Sequence, residues 1–393
     1  MYSLDEVRTF VEEEDVQFIR LAFCDTSGTQ KNISIMPAEL PRAFTYGVSF
    51  DGSAISGFGR RVKSDLFLHP DSATLAILPW RPSHGRVARM FCDIRTPDGA
   101  PFALDCRQML KRAIADAAER GVSCRFGEEF EFYLFNTDER GAPTLEPFDE
   151  AGYMDIAPED RGENVRREIC MALREMNIQP ESSHHEEGPG QNEIDYRYSD
   201  ALTAADNAVT FKSVVRTIAR RSGLHADFSP KPVPGKSGSG MHINFSVHGG
   251  SANAFLAGVL MHAREMTAVL NPTADSYRRL GEHKAPRFVS WSHENRSQLV
   301  RIPAADGEFR RMELRSPDPG ANPYLAHLLI LRAGMDGIAR GLALPPETDC
   351  NLFDAPAEVT AGLERLPETL DEARAIAKNS AFMRAAMPEF WAE

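Results

Sequence analysis

The run Gly127-Glu128-Glu129-Phe130-Glu131-Phe132-Tyr133-Leu134-Phe135 sets two acids one residue apart among aromatics. As a strand it alternates with period two. Glu129, Glu131 and Tyr133 then share one face, and Phe130, Phe132 and Leu134 the other. The apolar face can pack into a core. The opposite face holds two carboxylates side by side, which repel each other unless a cation sits between them. A strand anchored this way with paired acids is a divalent-metal platform; alone, it also reads as an edge strand with solvated glutamates.

Three other clusters weigh on that choice. In His184-His185-Glu186-Glu187-Gly188-Pro189-Gly190-Gln191-Asn192-Glu193 the Gly-Pro-Gly step forces a turn. Glu186 and Glu193 can thus approach one point from two directions, with a solvated loop as the alternative. In Gly235-Lys236-Ser237-Gly238-Ser239-Gly240-Met241-His242-Ile243-Asn244-Phe245-Ser246, the side chains of His242, Asn244 and Ser246 project to one side. The glycines let a ligand approach the backbone closely. Gly-Lys-Ser is not a phosphate loop, since that motif needs a glycine where Pro230 stands. A lone strand histidine is usually a hydrogen-bonded structural residue; among oxygen donors it suits magnesium or manganese better than zinc. Last, Arg311, Glu313 and Arg315 face together, below Asn295-Arg296-Ser297 and Arg301-Ile302-Pro303. That set can be an internal ion-pair ladder. Beside a polyacidic metal site it is also what phosphoryl transfer needs, because charge on the moving group must be neutralised. Chance solvated faces would not repeat this design in four separated segments.

The elements that must hold these residues follow from pattern. Residues 1–97 read as β-rich, with Val16–Phe23 and Lys31–Ile35 forming a hairpin about Asp25-Thr26-Ser27-Gly28. Thr74–Leu78 and Arg86–Ile94 are two more expected strands. Thr96-Pro97-Asp98-Gly99-Ala100-Pro101 breaks the pattern and divides the chain into an N-terminal domain, 1–97, and a second domain, 98–393. Beyond it Asp105 caps a helix ending at Gly121. Further helices are expected at Asn164–Met176, Leu202–Ser222, Ala252–Leu270 and Pro323–Arg340, the last with proline at its first position and Gly341 to end it. Strands recur at 125–135, 240–247 and 310–315. The fold class is therefore α+β.

Bulk properties narrow the function. The 393 residues suffice for two domains, and the net charge of −13 argues against nucleic acid and anionic membranes as partners. No apolar run approaches about 18 residues, and the N-terminus lacks a charged-then-apolar leader, so a cytoplasmic location is expected. The six cysteines are scattered without a C-x-x-C pair, which suggests neither a disulfide framework nor zinc.

Over nearly its whole length the chain resembles the glutamine synthetase family, most like its bacterial type I branch. The motifs stand in order: Phe50-Asp51-Gly52-Ser53, Ser64-Asp65, Glu129-Phe130-Glu131, His185-Glu186 through Gly190-Gln191-Asn192-Glu193, and Gly238-Ser239-Gly240-Met241-His242. Asn271-Pro272-Thr273, Asn295-Arg296-Ser297, Arg301-Ile302-Pro303, Arg311-Met312-Glu313-Leu314-Arg315 and Pro317–Tyr324 complete the series. The resemblance implies an N-terminal β-grasp domain, a catalytic domain built on an antiparallel sheet platform with helices, and active sites shared between neighbours in a homo-oligomer, a hexameric ring or a dodecamer. It implies ATP as co-substrate and two or three Mg2+ or Mn2+ ions. By matching positions, Glu131, Glu186 and Glu193 would hold one ion and Glu129, His242 and Glu313 another. Arg279, Arg315 and Gly238, with Glu131, would grip glutamate. Arg296, Arg301 and Arg311 would surround the ATP phosphates, and Glu181, Tyr198, Asn244 and Ser246 would lie along the nucleotide. Asp51 of an adjacent subunit would receive the amine and take its proton. Ala54, Tyr153 and Glu186 would complete the amine pocket.

The family pattern is broken mainly on the amine side. Ala54 stands at a usual serine, Lys284 replaces the glutamate that precedes Ala-Pro, and the flap between Arg279 and Ala285 is one residue short. Ser237 and Asn244 replace a usual asparagine and histidine. A lysine repels cations, so loss of polar, anionic contact suits a short alkylamine such as methylamine, as in γ-glutamylmethylamide synthetases, with glutamine synthesis from ammonia as the alternative. A non-catalytic assembly protein is disfavoured because all six ligand positions are intact. A kinase that stops at the acyl phosphate would release ADP without an amine. Phe353 stands where the family's adenylylation tyrosine would be, so no such control is expected.

Overall fold

A computed structural model describes residues 2–59, 63–305, 307 and 310–391. Two sheets organise them. The N-terminal sheet runs Gln30–Ile35, Val16–Cys24, Arg86–Arg95, Asp65–Pro70, Val48–Asp51, with Ala76–Ile77 added against Arg86–Arg95. The expected hairpin is there, pairing Ile19 with Ile35 through Cys24 with Gln30. Val16–Cys24 and Arg86–Arg95 run parallel, and the chain crosses between them through the helix Leu40–Tyr46 and the outer strands. The Thr74–Leu78 expectation shrinks to a two-residue strand, because Asp71 caps a turn of 3-10 helix over Ser72–Thr74. A helix at Leu4–Glu13, closed by a Ser3–Glu6 capping box, buries Val7 and Val11 against this sheet.

The second sheet is the platform. Its order is Trp291–His293, Val300–Ile302, Met312–Leu314, Met241–His248, Ser123–Thr137, Gln191–Tyr196, Pro180–His185. All its pairs are antiparallel except the outermost, between Trp291–His293 and Val300–Ile302. The long strand Ser123–Thr137 also pairs with Pro143–Pro147, Ser199–Asp200 and Leu224–Asp227. Its apolar face packs as the alternation requires: Phe130, Phe132 and Leu134 are fully buried. Phe130 stacks on Phe211 at 4.9 Å between centroids, and Phe132 lies 5.5 Å from Phe228. Truncating either ring to alanine removes about 3–5 kcal/mol of packing, so the acidic face is held by a stiff floor.

The helices on that floor begin and end where their caps dictate. Cys106–Ala118 starts at Asp105, whose carboxylate accepts from Arg107 N and Gln108 N. Ala201–Arg221 starts at Asp200, and Pro323–Arg340 runs from Asn322 to a left-handed Gly341 at φ 60°. The single helix expected over 252–270 is two, Ala252–Met261 and Ala263–Leu270. His262 breaks it: its ring pairs with Glu265, lies 2.9 Å from Asp336 Oδ2, and stacks on Phe382 at 3.9 Å.

A buried arginine ties the N-terminal sheet to the helices of the second domain. Arg107 donates to both oxygens of Asp206 (3.0 and 2.9 Å), to Asp71 (2.9 Å) and to Asp93 (2.9 Å). Tyr324 Oη donates to the same Asp206 at 2.6 Å. Among the described residues no helix is long and apolar enough to cross a membrane.

Candidate active site

Strand register gathers the chemistry onto one face. Glu131 lies opposite Glu193, and Glu129 opposite Asp195, on one neighbour; Glu129 lies opposite His242 on the other. One strand farther out on each side, His184 pairs with Glu193 and Glu313 with Asn244. Since side chains alternate, these residues all project the same way. Glu129, Glu131, His184, Glu193, Asp195 and His242 border a cavity of about 630 Å³ that is also lined by Arg279, Arg296, Arg301, Arg311 and Arg315.

Three overlapping donor groups can be distinguished around it, one of them Glu129, Glu193 and Asp195. Glu129, His242 and Glu313 bring ligand atoms within 4.8 Å of one another, with His242 Nδ1 3.7 Å from Glu129 and 3.5 Å from Glu313. Glu186 and Glu193 form a second group, joined by His184 rather than Glu131. Glu131 stands between the groups: its Oε2 accepts from Gly240 N (2.8 Å) and Gln191 (3.3 Å), and its Oε1 is 3.8 Å from His242. Glu313 does not line the cavity. It is buried beneath it, accepting from Arg301 at 2.8 Å and Arg315 at 2.6 Å.

The acids perturb one another strongly. Burial raises the pKa of Glu193 well above the usual range, and the charges of Asp195, Glu131, Glu129 and Glu186 add to that. Burial, then Glu129, pushes Asp195 up to about 6. Burial works in the same direction on Glu129, yet His242, Asn244 and Arg311 outweigh it and hold that carboxyl at about 2. Burial also opposes Glu186, which His184 and the Glu187 amide nonetheless bring below its ordinary value. Asn244 Oδ1 and Asp195 Oδ1 are buried with no hydrogen-bond donor from the protein. Crowded carboxylates, one or two imidazoles and orphaned oxygens fit hard divalent cations such as magnesium or manganese.

The remaining expected residues fall in distinct places. Gly238 and Arg279 meet on the cavity wall: a Cβ on Gly238 would lie 2.8 Å from Arg279 Cγ and 2.5 Å from the Pro230 carbonyl. Arg279 itself is anchored to the Ser316 and Arg315 carbonyls at 2.7 and 3.2 Å. Arg296 is exposed at the rim. Tyr198, Asn244 and Ser246 border a small cleft with Arg125 and Arg311, so Arg311 is common to cleft and cavity. Glu181 borders neither; it lies 3.8 Å from Arg197 on the outermost strand. Asp51 and Ala54 are exposed on the N-terminal sheet, outside this chain's own cavity. The Ser53 hydroxyl, then Ser64, hold the Asp51 carboxyl below its ordinary value. Tyr153 does reach the cavity, edge-on to His184 at 5.6 Å.

Several residues at the site escape a reading by sequence alone: His184, Asp195, Gln191 and Glu187. For Asp195 a signal exists, because Glu193-Ile194-Asp195 repeats the alternating acids of Glu129-Phe130-Glu131. A further group lies behind the acid loop, where Asp149, Asp160 and His185 are all buried. His185 Nδ1 is 2.6 Å from the Glu186 carbonyl and Nε2 is 2.8 Å from Asp149 Oδ1. A carbonyl and an ionised carboxylate only accept, an arrangement that favours protons on both ring nitrogens. Burial lowers the His185 pKa, but Asp149 and the Glu186 carbonyl outweigh burial and raise it.

Comparison with known proteins bears on the same residues. Residues 15–97 match the family model of the glutamine synthetase beta-Grasp domain, and residues 103–393 that of the glutamine synthetase catalytic domain. The chain is 46% identical over 391 residues to a glutamine synthetase of Clostridium saccharobutylicum, covering 95% of this chain and 88% of that protein. It is 45% identical over 405 residues to one from Staphylococcus aureus strain MW2, covering 98% and 91%. Among solved structures, a complex of GmaS with ADP superposes with TM-score 0.89 at 30% identity, covering 98% of this chain and 92% of the other. A Plasmodium falciparum glutamine synthetase shares the fold at TM-score 0.86 and 21% identity, covering 100% and 95%.

Proposed function

Because this chain belongs to the glutamine synthetase family, whose members are ATP-dependent glutamate ligases, we propose that it joins the γ-carboxylate of glutamate to a short primary alkylamine through γ-glutamyl phosphate. The observation that carries this reading is the meeting of five arginines and two acid–histidine groups around one cavity. A carboxylate is a poor electrophile, so one of its oxygens first attacks the γ-phosphorus of ATP and ADP leaves. The amine lone pair then attacks the acyl carbon, and phosphate leaves. Glu129, His242 and Glu313 would hold one divalent cation, and Glu131, Glu186 and Glu193 another. When bound, such cations neutralise phosphate oxygens and orient the transferred group.

This chain's own residues do the rest. Arg296, Arg301 and Arg311 face the phosphates and offset the charge that develops during transfer. Arg279, Arg315 and the Gly238 backbone hold glutamate, while Tyr198, Asn244 and Ser246 border the nucleotide. Asp51 would come from a neighbouring copy in a six-membered ring, single or stacked, to draw in the ammonium group and accept its proton. Its exposure outside this chain's cavity is compatible with that role.

The alkylamine reading rests on the amine side, where Lys284 and Ala54 replace polar contacts that ammonia would use. A methyl group gains about 0.8 kcal/mol from apolar burial. A second reading, glutamine synthesis from ammonia, draws on the 45–46% identity to relatives named glutamine synthetase. ADP release with glutamate and limiting ammonium, methylamine or ethylamine, with product masses, tests both. A clear preference for ammonium ends the first reading in favour of the second.

A further inference from the structure

Two of the departures from the family pattern, Lys284 and Ser237, meet at one carboxylate. Lys284 Nζ pairs with Glu187 Oε1 across the cavity mouth, and Ser237 Oγ donates to Glu187 Oε2 at 3.1 Å. The same ammonium lies 5.3 Å from the centroid of the Tyr153 ring, whose edge-on partner His184 is 3.1 Å from Glu186. An ammonium on a four-carbon stem thus sits between a carboxylate and an aromatic face, at the rim of a cavity lined by the acid cluster. That pairing of charge and π-face is what binds a primary alkylammonium.

The backbone is shaped to aim it there. His283 and Lys284 are consecutive non-glycine residues at φ 40° and 66°, a left-handed conformation costing of order 1–3 kcal/mol each. The flap is pinned on both flanks: Glu282 pairs with Lys231 at 3.0 Å, and Arg315 reaches the Lys284 carbonyl at 3.5 Å. Glu282 is therefore turned away to another partner and does not supply the negative charge that the flap lacks. Glu187, His283, Lys284 and Ala285 also line a second cavity of about 620 Å³ on the far side of the flap. A displaced Lys284 side chain has that space to enter.

We infer that Glu187 adds an anionic contact for the acceptor's ammonium group to the pocket in which the family resemblance already sets Tyr153, and that Lys284 is a tethered alkylammonium that competes for that contact. Lys284 is then a specificity-determining residue: an incoming amine must displace it. The inference rests on the amide-ligase reading of this cavity, but not on which amine is preferred. It also differs from a mechanical latch, in which the ion pair only keeps the flap shut.

The test measures KM for methylamine and for ammonium, alongside KM for glutamate and ATP, in the wild type, Lys284→Ala and Glu187→Gln. Competition predicts opposite shifts. Lys284→Ala lowers the amine KM and Glu187→Gln raises it, each about tenfold, as expected for one charge-assisted contact. The glutamate and ATP KM values stay put. A latch predicts that both variants move the same way, since either one breaks the pair; that result, or no shift in either, overturns the inference. If the wild type proves to prefer ammonium, the alkylamine reading falls, while opposite shifts in the ammonium KM still uphold the Glu187 contact. Absence of any amine-dependent ADP release in the wild type would sink the ligase reading and this inference with it.

Discussion

Asparagine in place of Asp149 probes how the acid loop is held. Asp149 Oδ1 accepts from His185 Nε2 at 2.8 Å and Gly190 N at 2.9 Å, and Oδ2 accepts from Arg161 N at 3.0 Å. Asparagine keeps the shape but has one acceptor. If its carbonyl serves His185 and Gly190, its amide hydrogens face the Arg161 N–H, donor against donor. A protonated His185 ring also loses its counter-charge. Losing a charge-assisted bond costs about 1.5–3 kcal/mol, and a buried charge left without its partner raises that to about 3–5 kcal/mol unless His185 gives up its proton. Once the ring gives up a proton, one of its two nitrogens no longer donates, so it cannot hold the Glu186 carbonyl and the Gly190 turn together and Glu186 loses its defined position. Groups that orient metal ligands in this manner are worth about 10–100-fold in metal affinity. The assay is Mn2+ binding followed by EPR, with ADP release as a function of Mn2+. We expect Mn2+ to bind at least about tenfold more weakly, with ATP-independent glutamate binding little changed. A variant that melts earlier yet binds Mn2+ as the wild type does would refute the reasoning, leaving His185 and Asp149 as core residues only.

Other consequences are as direct. Gly238→Ala forces a Cβ to within 2.8 Å of Arg279 and should raise the glutamate KM about tenfold or more while Mn2+ affinity holds; equal glutamate KM values would contradict the wall assigned to it. Arg107→Met takes the shared guanidinium from Asp206, Asp71 and Asp93, leaving Lys111 beside Asp71 and Asp93 and Arg89 near Asp206, and should destabilise the chain by about 3–5 kcal/mol, read as an earlier thermal melt. At the helix break, burial lowers the pKa of His262 but Glu265 and Asp336 outweigh it and raise it. A raised folded value gives stability that is complete below the unfolded value of about 6.5 and fades as pH climbs through the folded one. Chemical denaturation should therefore show stability falling as pH rises above about 6.5, a fall that His262→Asn flattens; an unchanged slope would remove His262 as its source.

Much of this architecture is written locally and can be read. The alternation in Phe130–Leu134 foretells a buried face and an acidic face, and the caps Asp105, Asn322-Pro323 and Gly341 foretell helix ends that the fold adopts. The helix at Leu4–Glu13 carried its own signal, Ser3 and Glu6 three residues apart, which the β-rich reading of that region passed over. Other features belong to no single segment. Which acids share a group depends on strand register, so His184 and Asp195 join the clusters while Glu131 stands between them, bonded to Gly240. The interruption at His262 depends on Asp336 and Phe382 from distant helices, against an apolar run that is continuous in sequence. The charge of Lys284 looks repulsive in isolation; only the fold brings Glu187 to meet it.

The proposed chemistry requires two cations held among Glu129, Glu131, Glu186, Glu193, His242 and Glu313. Anomalous diffraction from crystals grown with Mn2+ and a non-hydrolysable ATP analogue measures this directly. Two strong peaks per chain are expected in the cavity, one beside Glu129, His242 and Glu313 and one beside Glu131, Glu186 and Glu193. Peaks elsewhere, or none within reach of these side chains, would contradict that chemistry.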